Sequence, residues 1–456
     1  MKISVKTRGT TTSIEADGFD NLLSVLRFYG YEINATCDGL GKCGACKVIA
    51  NGRLVSACKT IPENGMTVEL FENDTADFSV ENLSESSASA IIDIGTTTVR
   101  CALISDKKIL SVISEKNKQS SFGSDIISRI SNADGDRLSS MHSAIISQVN
   151  SILLRLSGKI DITDVSIVGN TAMLHIFLNI PCKSMGVYPY TPVFLDEKSF
   201  ESAREIGLDF DIPLYVLPSI SAFCGADITA DIAEAYTVSD DYTLLIDFGT
   251  NAEIALFNKD NIFVTSAAAG PAFEGGNISC GMPALSGAIC SYKIDNNVPV
   301  INTVDKKNPV GVCGSGLVDI IAELLRNGII DKTGYLGNDF EICKNIFITQ
   351  SDIREFQLAK SAVEAAIIIL SRKVTAPVKK VCICGNFGKY LNIENAKFLH
   401  LIPHGIEEIE VLENAPLSSF YNRELLKTIA ENAKYIDISL DKNFEKIFES
   451  SLNFSE

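Results

Sequence analysis

The sequence lacks a long apolar run. No stretch reaches the roughly 18 consecutive apolar residues of a membrane-spanning helix. The first residues, MKISVKT, alternate in polarity and lack the apolar core of a secretory signal peptide. The sequence therefore predicts a cytoplasmic protein with no membrane partner.

Positive charge is also scarce. The 456 residues include 40 Lys and Arg against 57 Asp and Glu, which gives a formal net charge of −17 at pH 7. Nucleic-acid phosphates and anionic lipids are repelled by such a chain unless it carries a basic patch, and the sequence shows none. We therefore expect no nucleic-acid partner.

Cysteine, in contrast, is abundant, with 13 residues in a chain that shows no export signal. A reducing compartment disfavours disulfides, so ligation of a metal or a cluster is the first explanation. Cys37, Cys43, Cys46 and Cys58 have the spacing C-x5-C-x2-C-x11-C. Glycines between the first three let the backbone wrap closely around a cluster and direct N–H groups at its sulfurs. These four cysteines are predicted to ligate a 2Fe-2S cluster.

A structural zinc site is the alternative interpretation of the same cysteines. Zinc sites usually combine two short Cys or His pairs, whereas here no His precedes His142. The other nine cysteines share no ligand spacing, and we expect them to pack in the core.

Periodicity divides the chain into three parts. Residues 1–75 combine two hairpins with one amphipathic helix, which predicts an α+β module of the β-grasp type. Residues 76–89 are acidic and Ser-rich, as in a linker. Residues 90–456 are predicted to form a duplicated α/β domain with halves of approximately 90–240 and 241–456.

The duplication is visible as a repeated motif. IIDIGTTTVRCALI (91–104) and LLIDFGTNAEIALF (244–257) share an apolar strand, Asp, one apolar residue, Gly-Thr and a second apolar strand. In such a turn, backbone N–H groups and threonine hydroxyls can bind phosphates. Ordinary hairpins are the alternative, but two copies favour a nucleotide site.

Each copy supplies one acid for Mg²⁺ and three residues for phosphate. The acids are Asp93 and Asp247, and the phosphate-binding candidates are Gly95, Thr96, Thr97, Gly249, Thr250 and Asn251. Later glycine-rich turns could contact adenosine or could be simple capping loops; their candidates are Gly275, Gly276, Gly314, Ser315, Gly385, Asn386 and Gly388. Glu253, Asp227 and His175 are candidates for the general base of ATP hydrolysis, with Glu253 assigned to the catalytic set beside Asp93 and Asp247.

Together these motifs resemble the reductive activators of corrinoid proteins. The resemblance covers nearly the whole chain and rests on the four-cysteine loop and on IDIGTTTVR, GSDIISRI (123–130), VGNTAMLHIFL (168–178), GADITADI (225–232), IDFGTNAEI, GPAFEGG, GVCGSGLVD and GNFGKYL. It implies a 2Fe-2S ferredoxin-like module followed by a ribonuclease H-like ATPase domain of the acetate and sugar kinase, heat-shock chaperone and actin (ASKHA) superfamily. Members often carry an additional domain between these two parts, whereas here a short linker is predicted.

The resemblance also implies an activity. Such an activator uses ATP to drive one electron from its 2Fe-2S cluster to the Co(II) of an inactivated corrinoid protein of a methyltransferase system, which regenerates Co(I). The implied cofactors are the cluster, ATP and Mg²⁺, and the implied partners are the corrinoid protein and a low-potential electron donor; a homodimer stays open.

Three other functions share some of these features. A small-molecule kinase would share the nucleotide domain but has no use for a cluster. A 2-hydroxyacyl-CoA dehydratase activator holds its cluster with cysteines inside the ATPase domain. A ferredoxin-like electron carrier with a regulatory nucleotide domain would keep the cluster without hydrolysis.

The four-cysteine motif generates the first prediction. Protein purified without oxygen should show 2Fe-2S absorption and, on reduction, a one-electron EPR signal, because four thiolates converge on one site. Metal analysis after reconstitution provides the check. Stoichiometric zinc without iron would contradict the cluster assignment.

Overall fold

The structure of the protein is a computed structural model that describes most of the chain. The described residues are 1–7, 10–31, 33, 35, 39–41, 46–71, 86–123, 125–158, 160–296, 298–385, 387–413, 415–418 and 422–454. Cys37, Cys43, Asn386 and most of the predicted linker 76–89 lie outside them. Within these ranges, no helix is long and apolar enough to cross a membrane.

The described part of the N-terminal module consists of a five-stranded sheet and one α-helix. Its elements are β1 (Lys2–Thr7), β2 (Thr10–Glu15), α1 (Leu22–Phe28), β3 (Lys47–Ala50), β4 (Arg53–Ser56) and β5 (Thr67–Glu69). The strand order is β2-β1-β5-β3-β4, with β1 and β5 parallel and the other neighbours antiparallel. This order, with α1 packed on one face, is the predicted β-grasp.

Local sequence explains these elements well. Leu22, Val25 and Leu26 recur at helical spacing and are fully buried. Asn51 and Gly52, between β3 and β4, have φ angles of 50° and 75°, as a type I′ hairpin turn requires.

In the residues that the structure describes, the first half of the large domain is a six-stranded sheet with four α-helices. Its elements are β6 (Ser87–Ile94), β7 (Thr98–Ser105), β8 (Lys108–Lys116), α2 (Ile126–Asn132), α3 (Gly135–Ser157), β9 (Asp161–Gly169), α4 (Thr171–Phe177), β10 (Lys198–Phe200), β11 (Leu214–Val216) and α5 (Ala226–Ala235). The strand order is β10-β11-β9-β6-β7-β8.

The second half repeats this plan with insertions. Its elements are β12 (Tyr242–Phe248), β13 (Ala252–Phe257), β14 (Ile262–Ala267), β15 (Ala288–Asp295), β16 (Val298–Thr303), β17 (Gly311–Val312), α6 (Gly314–Arg326), β18 (Phe340–Cys343), β19 (Ile346–Ile348), α7 (Gln350–Ser371), β20 (Val378–Cys384), α8 (Ile393–Phe398), β21 (Glu408–Leu412), α9 (Ala415–Ser418), α10 (Arg423–Asn432), β22 (Ala433–Tyr435) and α11 (Phe444–Ser451). Its main sheet has the order β21-β20-β12-β13-β14-β22.

The two main sheets share one topology. In each, three consecutive antiparallel strands (β6-β7-β8 and β12-β13-β14) are followed across the sheet by two parallel strands (β9, β11 and β20, β21). The strands with the repeated motif, β6 and β12, are therefore equivalent. This confirms the predicted duplicated α/β fold, and the two acids end equivalent central strands.

Helix α5 joins the two halves. Ala226 and Ala230 pack in the core of the first half, whereas Ile228 and Ile232 pack against Leu245 of the second sheet. Leu417 of α9, late in the chain, returns to the core of the first half. Because α5 contributes to both cores, its polar side chains lie where the halves meet.

Apolar residues recur at helical spacing over roughly 124–157, which predicts a helical stretch, and the structure divides it into α2 and α3. Asp134 caps α3 in an extended conformation, and Gly135 follows it with φ 49°, so the chain turns between the two helices. The same spacing predicts helices over roughly 315–328 and 351–375, and these correspond to α6 and α7. The inserted strands β15 to β19 were not predicted, because short strands of an insertion carry little periodic signal.

Candidate functional site

Buried polar side chains brace the first phosphate-loop candidate, residues 95–97. The Asn117 side-chain amide donates to the Gly95 carbonyl at 2.8 Å, and its backbone N–H donates to the Thr97 carbonyl at 2.9 Å. The buried Arg129 guanidinium donates to the Thr96 carbonyl and, at 3.0 Å, to the Gly123 carbonyl. These bonds occupy the loop's carbonyls and leave its N–H groups for a ligand.

Three aromatic rings hold the turns of the second half together. Phe248 precedes Gly249, Phe273 precedes the Gly275 turn, and Phe387 precedes Gly388. The ring centroids of Phe248, Phe273 and Phe387 lie 4.9 to 5.4 Å apart in all three pairs. The three glycine turns that the sequence separates by more than 20 residues therefore share one small core.

The backbone at the candidate glycines is tightly packed. A Cβ atom at Gly314 would lie 1.8 Å from the Phe273 carbonyl oxygen, and one at Gly275 would lie 2.4 Å from the Met282 carbonyl oxygen. At Gly385, where φ is +83°, it would lie 2.7 Å from an Asp247 carboxylate oxygen. Glycine is thus sterically required at these positions.

Other candidates lie beside these turns. Ser315 is buried in the first turn of α6, and Thr250 donates from its hydroxyl to Glu274 at 2.8 Å. Gly276 packs on Pro271, and Gly388 packs on Ile383.

Carboxylates from both halves converge between the sheets. Burial raises the pKa of Asp93 to about 6, although the Arg100 guanidinium opposes the shift. Burial, together with repulsion from Asp93, raises the pKa of Asp227 and of Asp247 to about 7. Because the Asp93 carboxylate raises the pKa of Asp247, the acids of the two motif copies lie within electrostatic range of each other.

Two further acids, Asp231 and Glu253, are buried near these carboxylates. Asp231, one helical turn after Asp227 on α5, is fully buried, and neither carboxyl oxygen has a hydrogen-bond partner of good geometry within the described residues. Glu253 is paired across β12 and β13 with Asp247 and is 8% exposed. Burial and the neighbouring carboxylates raise the pKa values of Asp231 and Glu253 well above the ordinary values of these groups.

His175 has a different environment. Its Nδ1 contacts the Thr171 carbonyl at 2.8 Å, and its Nε2 accepts from the Val193 and Phe194 N–H groups at 3.1 and 3.4 Å. The ring also stacks on Phe194, and burial lowers its pKa to about 4. Both ring nitrogens are occupied by backbone partners, which argues against a role for His175 as a general base.

The described residues fit Mg²⁺ that arrives with phosphates. Within the described part of the chain, no three His, Cys, Asp or Glu side chains are grouped closely enough to hold a metal by themselves. Mg²⁺ usually takes only one or two carboxylates, with water and phosphate oxygens completing its shell. Asp93 and Asp247 suit that role, because a bound cation would lower their raised pKa values.

Two of the four predicted cluster ligands are described, and they lie together. The Sγ atoms of Cys46 and Cys58 are 3.2 Å apart, longer than the about 2.05 Å of a disulfide bond. The Cys58 N–H group donates to the Cys46 sulfur at 3.4 Å. Gly39 and Gly41, in the loop that leads to them, have φ angles of 84° and 72°. This donor set fits a thiolate-bound cluster.

Of the other nine cysteines, seven are buried and Cys280 and Cys343 are partly buried.

Three charged residues of the site were not predicted from the sequence. Arg100 and Glu274 lie inside motifs whose other members were assigned, and Asp231 lies four residues after Asp227. The i, i+4 spacing of the two acids on α5 was the available signal.

Two family models match consecutive parts of the chain. The model of the RACo middle region matches residues 89–237, and the model of the C-terminal domain of RACo, the ASKHA domain, matches residues 241–456.

Individual relatives agree with these models. A corrinoid activation enzyme, RamQ of Eubacterium limosum, is 33% identical over 77% of this chain and 65% of its own length. The [Co(II) methylated amine-specific corrinoid protein] reductase of Methanosarcina barkeri is 28% identical over 61% of this chain and 58% of its own. The chain thus spans about three fifths of the curated relatives it matches. A solved reductive activator for corrinoid, iron-sulfur protein superimposes with a TM-score of 0.71 at 26% identity, covering 99% of this chain and 98% of that one.

The raised carboxyl pKa values predict how stability depends on pH. Between the ordinary value of 3.8 and about 7, the folded protein binds more protons than the unfolded chain. The free energy of unfolding without divalent cations should therefore fall as pH rises from about 4 to about 7, on the order of 1 kcal/mol per pH unit for each titrating group.

Urea unfolding in EDTA, followed by circular dichroism, measures this slope. Asp247→Asn should flatten it, and Asp260→Asn, at an exposed position, should leave it unchanged. Equal slopes in the wild type and Asp247→Asn would contradict the proposed environment of Asp247.

Proposed function

This chain belongs to the RACo family, and from that premise we propose that it is an ATP-dependent reductive activator that restores Co(I) in an inactivated corrinoid protein of a methyltransferase system. The observation that supports this proposal best is the pair of equivalent acid turns, at Asp93 and Asp247, whose carboxylates interact electrostatically in a chain that also brings two cysteine thiols together. A low-potential donor would supply the electrons.

The ATP-binding part of the proposal rests on the turns. The N–H groups and hydroxyls of residues 95–97 and 249–251 would bind the phosphates from opposite sides, and Asp93 and Asp247 would hold Mg²⁺, which neutralises phosphate charge when bound. The turns at Gly275, Gly314 and Gly385 would contact the remainder of the nucleotide, close to the backbone because no Cβ intervenes. Asp227 and Glu253 remain the candidates for orienting the attacking water.

The electron-transfer part rests on the cysteines. Cys37, Cys43, Cys46 and Cys58 would hold the 2Fe-2S cluster, which supplies one electron at a time when bound. We place the module that carries it at 1–75, followed by a linker predicted at 76–89 and the ATPase domain predicted at 90–456; because β6 begins at Ser87, the last residues of the predicted linker belong to the first sheet. The N–H donor to the Cys46 sulfur is a group that stabilises negative charge on such a ligand.

ATP is needed for a thermodynamic reason. A ferredoxin with a potential of about −400 mV reduces a Co(II)/Co(I) couple of lower potential only partly. A tenfold shift in a one-electron equilibrium corresponds to about 59 mV. Nucleotide-dependent binding of about 3 kcal/mol would shift the equilibrium by roughly 130 mV. Turnover of ATP would then favour reduction of the partner's cobalt.

Replacement of Asp247 by Ala tests the ATPase site. Mg-ATP turnover should fall by about a hundredfold or more, because stabilisation of several kcal/mol at the phosphates is lost. Phosphate release is the measurement, and unchanged cluster absorption shows that the protein is intact. Asp93→Ala should behave alike, and the exposed Asp260→Asn serves as the matched control. Full turnover in either Ala variant would contradict the site.

The activation reaction has its own test. Full-length protein, a strong reductant and ATP should convert a Co(II) corrinoid protein to Co(I), which is visible as a change in absorption. The conversion should be lost without ATP and in Cys58→Ser, which removes one cluster ligand. Conversion that is independent of ATP would favour a simple electron carrier instead.

A further inference from the structure

The N-terminal module lies against the second half of the large domain through the β3–β4 hairpin. The Lys47 ammonium donates to the Ser279 carbonyl at 2.8 Å. Leu54 and Phe71 pack against an apolar cluster that contains Met282, Cys290 and Cys313. We call these three side chains, Lys47, Leu54 and Phe71, the docking contact. Lys47 directly follows Cys46, one of the predicted cluster ligands.

The surface under the docking contact continues into two candidate nucleotide turns. Ser279 is three residues from Gly276, and a Cβ at Gly311, three residues before Gly314, would lie 2.9 Å from Leu54 Cδ2. Both ends of the contact are therefore a few residues from a glycine turn.

The backbone between contact and turns has little freedom. The Met282 N–H donates to the Val312 carbonyl at 2.9 Å, and the Val312 N–H donates to the Cys280 carbonyl at 2.8 Å. A Cβ at Gly281 would lie 2.2 Å from the Gly275 carbonyl oxygen. Residues 275–282 and 311–314 thus form one tightly packed backbone unit, so a displacement at one end must be shared by the other.

Asp352 of α7 also holds the segment 275–282, through Ser279. Its buried carboxylate accepts from the Ser279 N–H and hydroxyl at 2.6 and 2.5 Å, and from the Thr349 N–H and hydroxyl, both at 2.8 Å. Ser279 therefore has its donors bound by the start of α7 and its carbonyl bound by Lys47 of the module. Release of Lys47 would remove one of the two attachments that define this backbone position.

We propose that the docked cluster module and the nucleotide site are positively coupled, because docking fixes residues 275–282 in the conformation that binds nucleotide. The coupling rests on the proposed nucleotide site. A turn that is held in its binding conformation loses less entropy on binding, so the ligand binds more tightly. Linkage then requires that bound nucleotide strengthens docking by the same factor. ATP would thereby fix the position of Cys46, and release of the products would loosen it.

Two variants of the full-length protein test this coupling. Lys47→Ala removes the hydrogen bond, and Leu54→Ala removes the apolar contact, whereas Arg53→Ala changes an exposed residue of the same hairpin and is the matched control. Each test variant should weaken binding of the non-hydrolysable analogue AMPPNP with Mg²⁺ by about fivefold or more, as measured by calorimetry, and Arg53→Ala should not. Cluster absorption equal to the wild type's shows that the module is folded; where one variant loses it, the other carries the test.

Hydrogen exchange supplies the reciprocal measurement. AMPPNP should slow amide exchange in β3 and β4 of the wild type, and this protection should be lost in Leu54→Ala. Equal affinities in the wild type and both variants would overturn the coupling alone, and tighter binding in the variants would show that docking opposes nucleotide. Failure of the wild type to bind AMPPNP would instead overturn the proposed nucleotide site, and the coupling with it.

Discussion

Four buried carboxylates that repel one another lie where the two halves of the large domain meet, and the rest of the domain must hold them there. Asp93 and Asp247 come from equivalent strands of the two sheets, and Asp227 and Asp231 come from the helix that belongs to both cores. Burial raises the pKa of all four carboxyl groups, and repulsion among them raises it further for Asp227, Asp231 and Asp247. The Arg100 guanidinium opposes the shift of Asp93 and of Asp247. Such a group costs free energy unless a cation joins it. The rigid sheets, the bridging α5 and the glycine turns therefore hold the acids in an arrangement that is completed when a ligand brings positive charge.

Local signals predicted most of the scaffold. Gly-Thr turns after apolar strands, the Asn51-Gly52 hairpin and the periodicity of α1, α6 and α7 each depend on neighbours within a few residues, and the structure contains all of them. The equivalence of Asp93 and Asp247 was also predictable, because duplication repeats the sequence that surrounds them. The break between α2 and α3 was missed although Asp-Gly is a turn signal, since apolar spacing continues through it.

What could not be predicted depends on contacts between distant segments. Arg100 faces Asp93 only because β6 and β7 pair in one register, and Glu274 meets Thr250 only because the aromatic rings of three turns pack together. For His175 the sequence suggested a role that the structure does not favour. Its place in a family motif made it a candidate general base, but two backbone N–H groups more than 17 residues away occupy its Nε2. Proximity in sequence identified the motif, whereas the role of each side chain required the fold.

The strength of the docking contact suits a module that must both dock and move. One hydrogen bond contributes about 1 kcal/mol, and partial burial of Leu54 and Phe71 contributes roughly 1–2 kcal/mol each. A contact of about 4 kcal/mol corresponds to a dissociation constant of about 1 mM, and covalent tethering supplies an effective concentration on the order of millimolar. Docked and released states would then be nearly equal in free energy. A coupling of only 1–3 kcal/mol, the usual range for linked sites, is sufficient to change which state predominates. A stronger contact would hold Cys46 in place whatever occupied the nucleotide turns, and a weaker one would leave ATP without influence on the cluster.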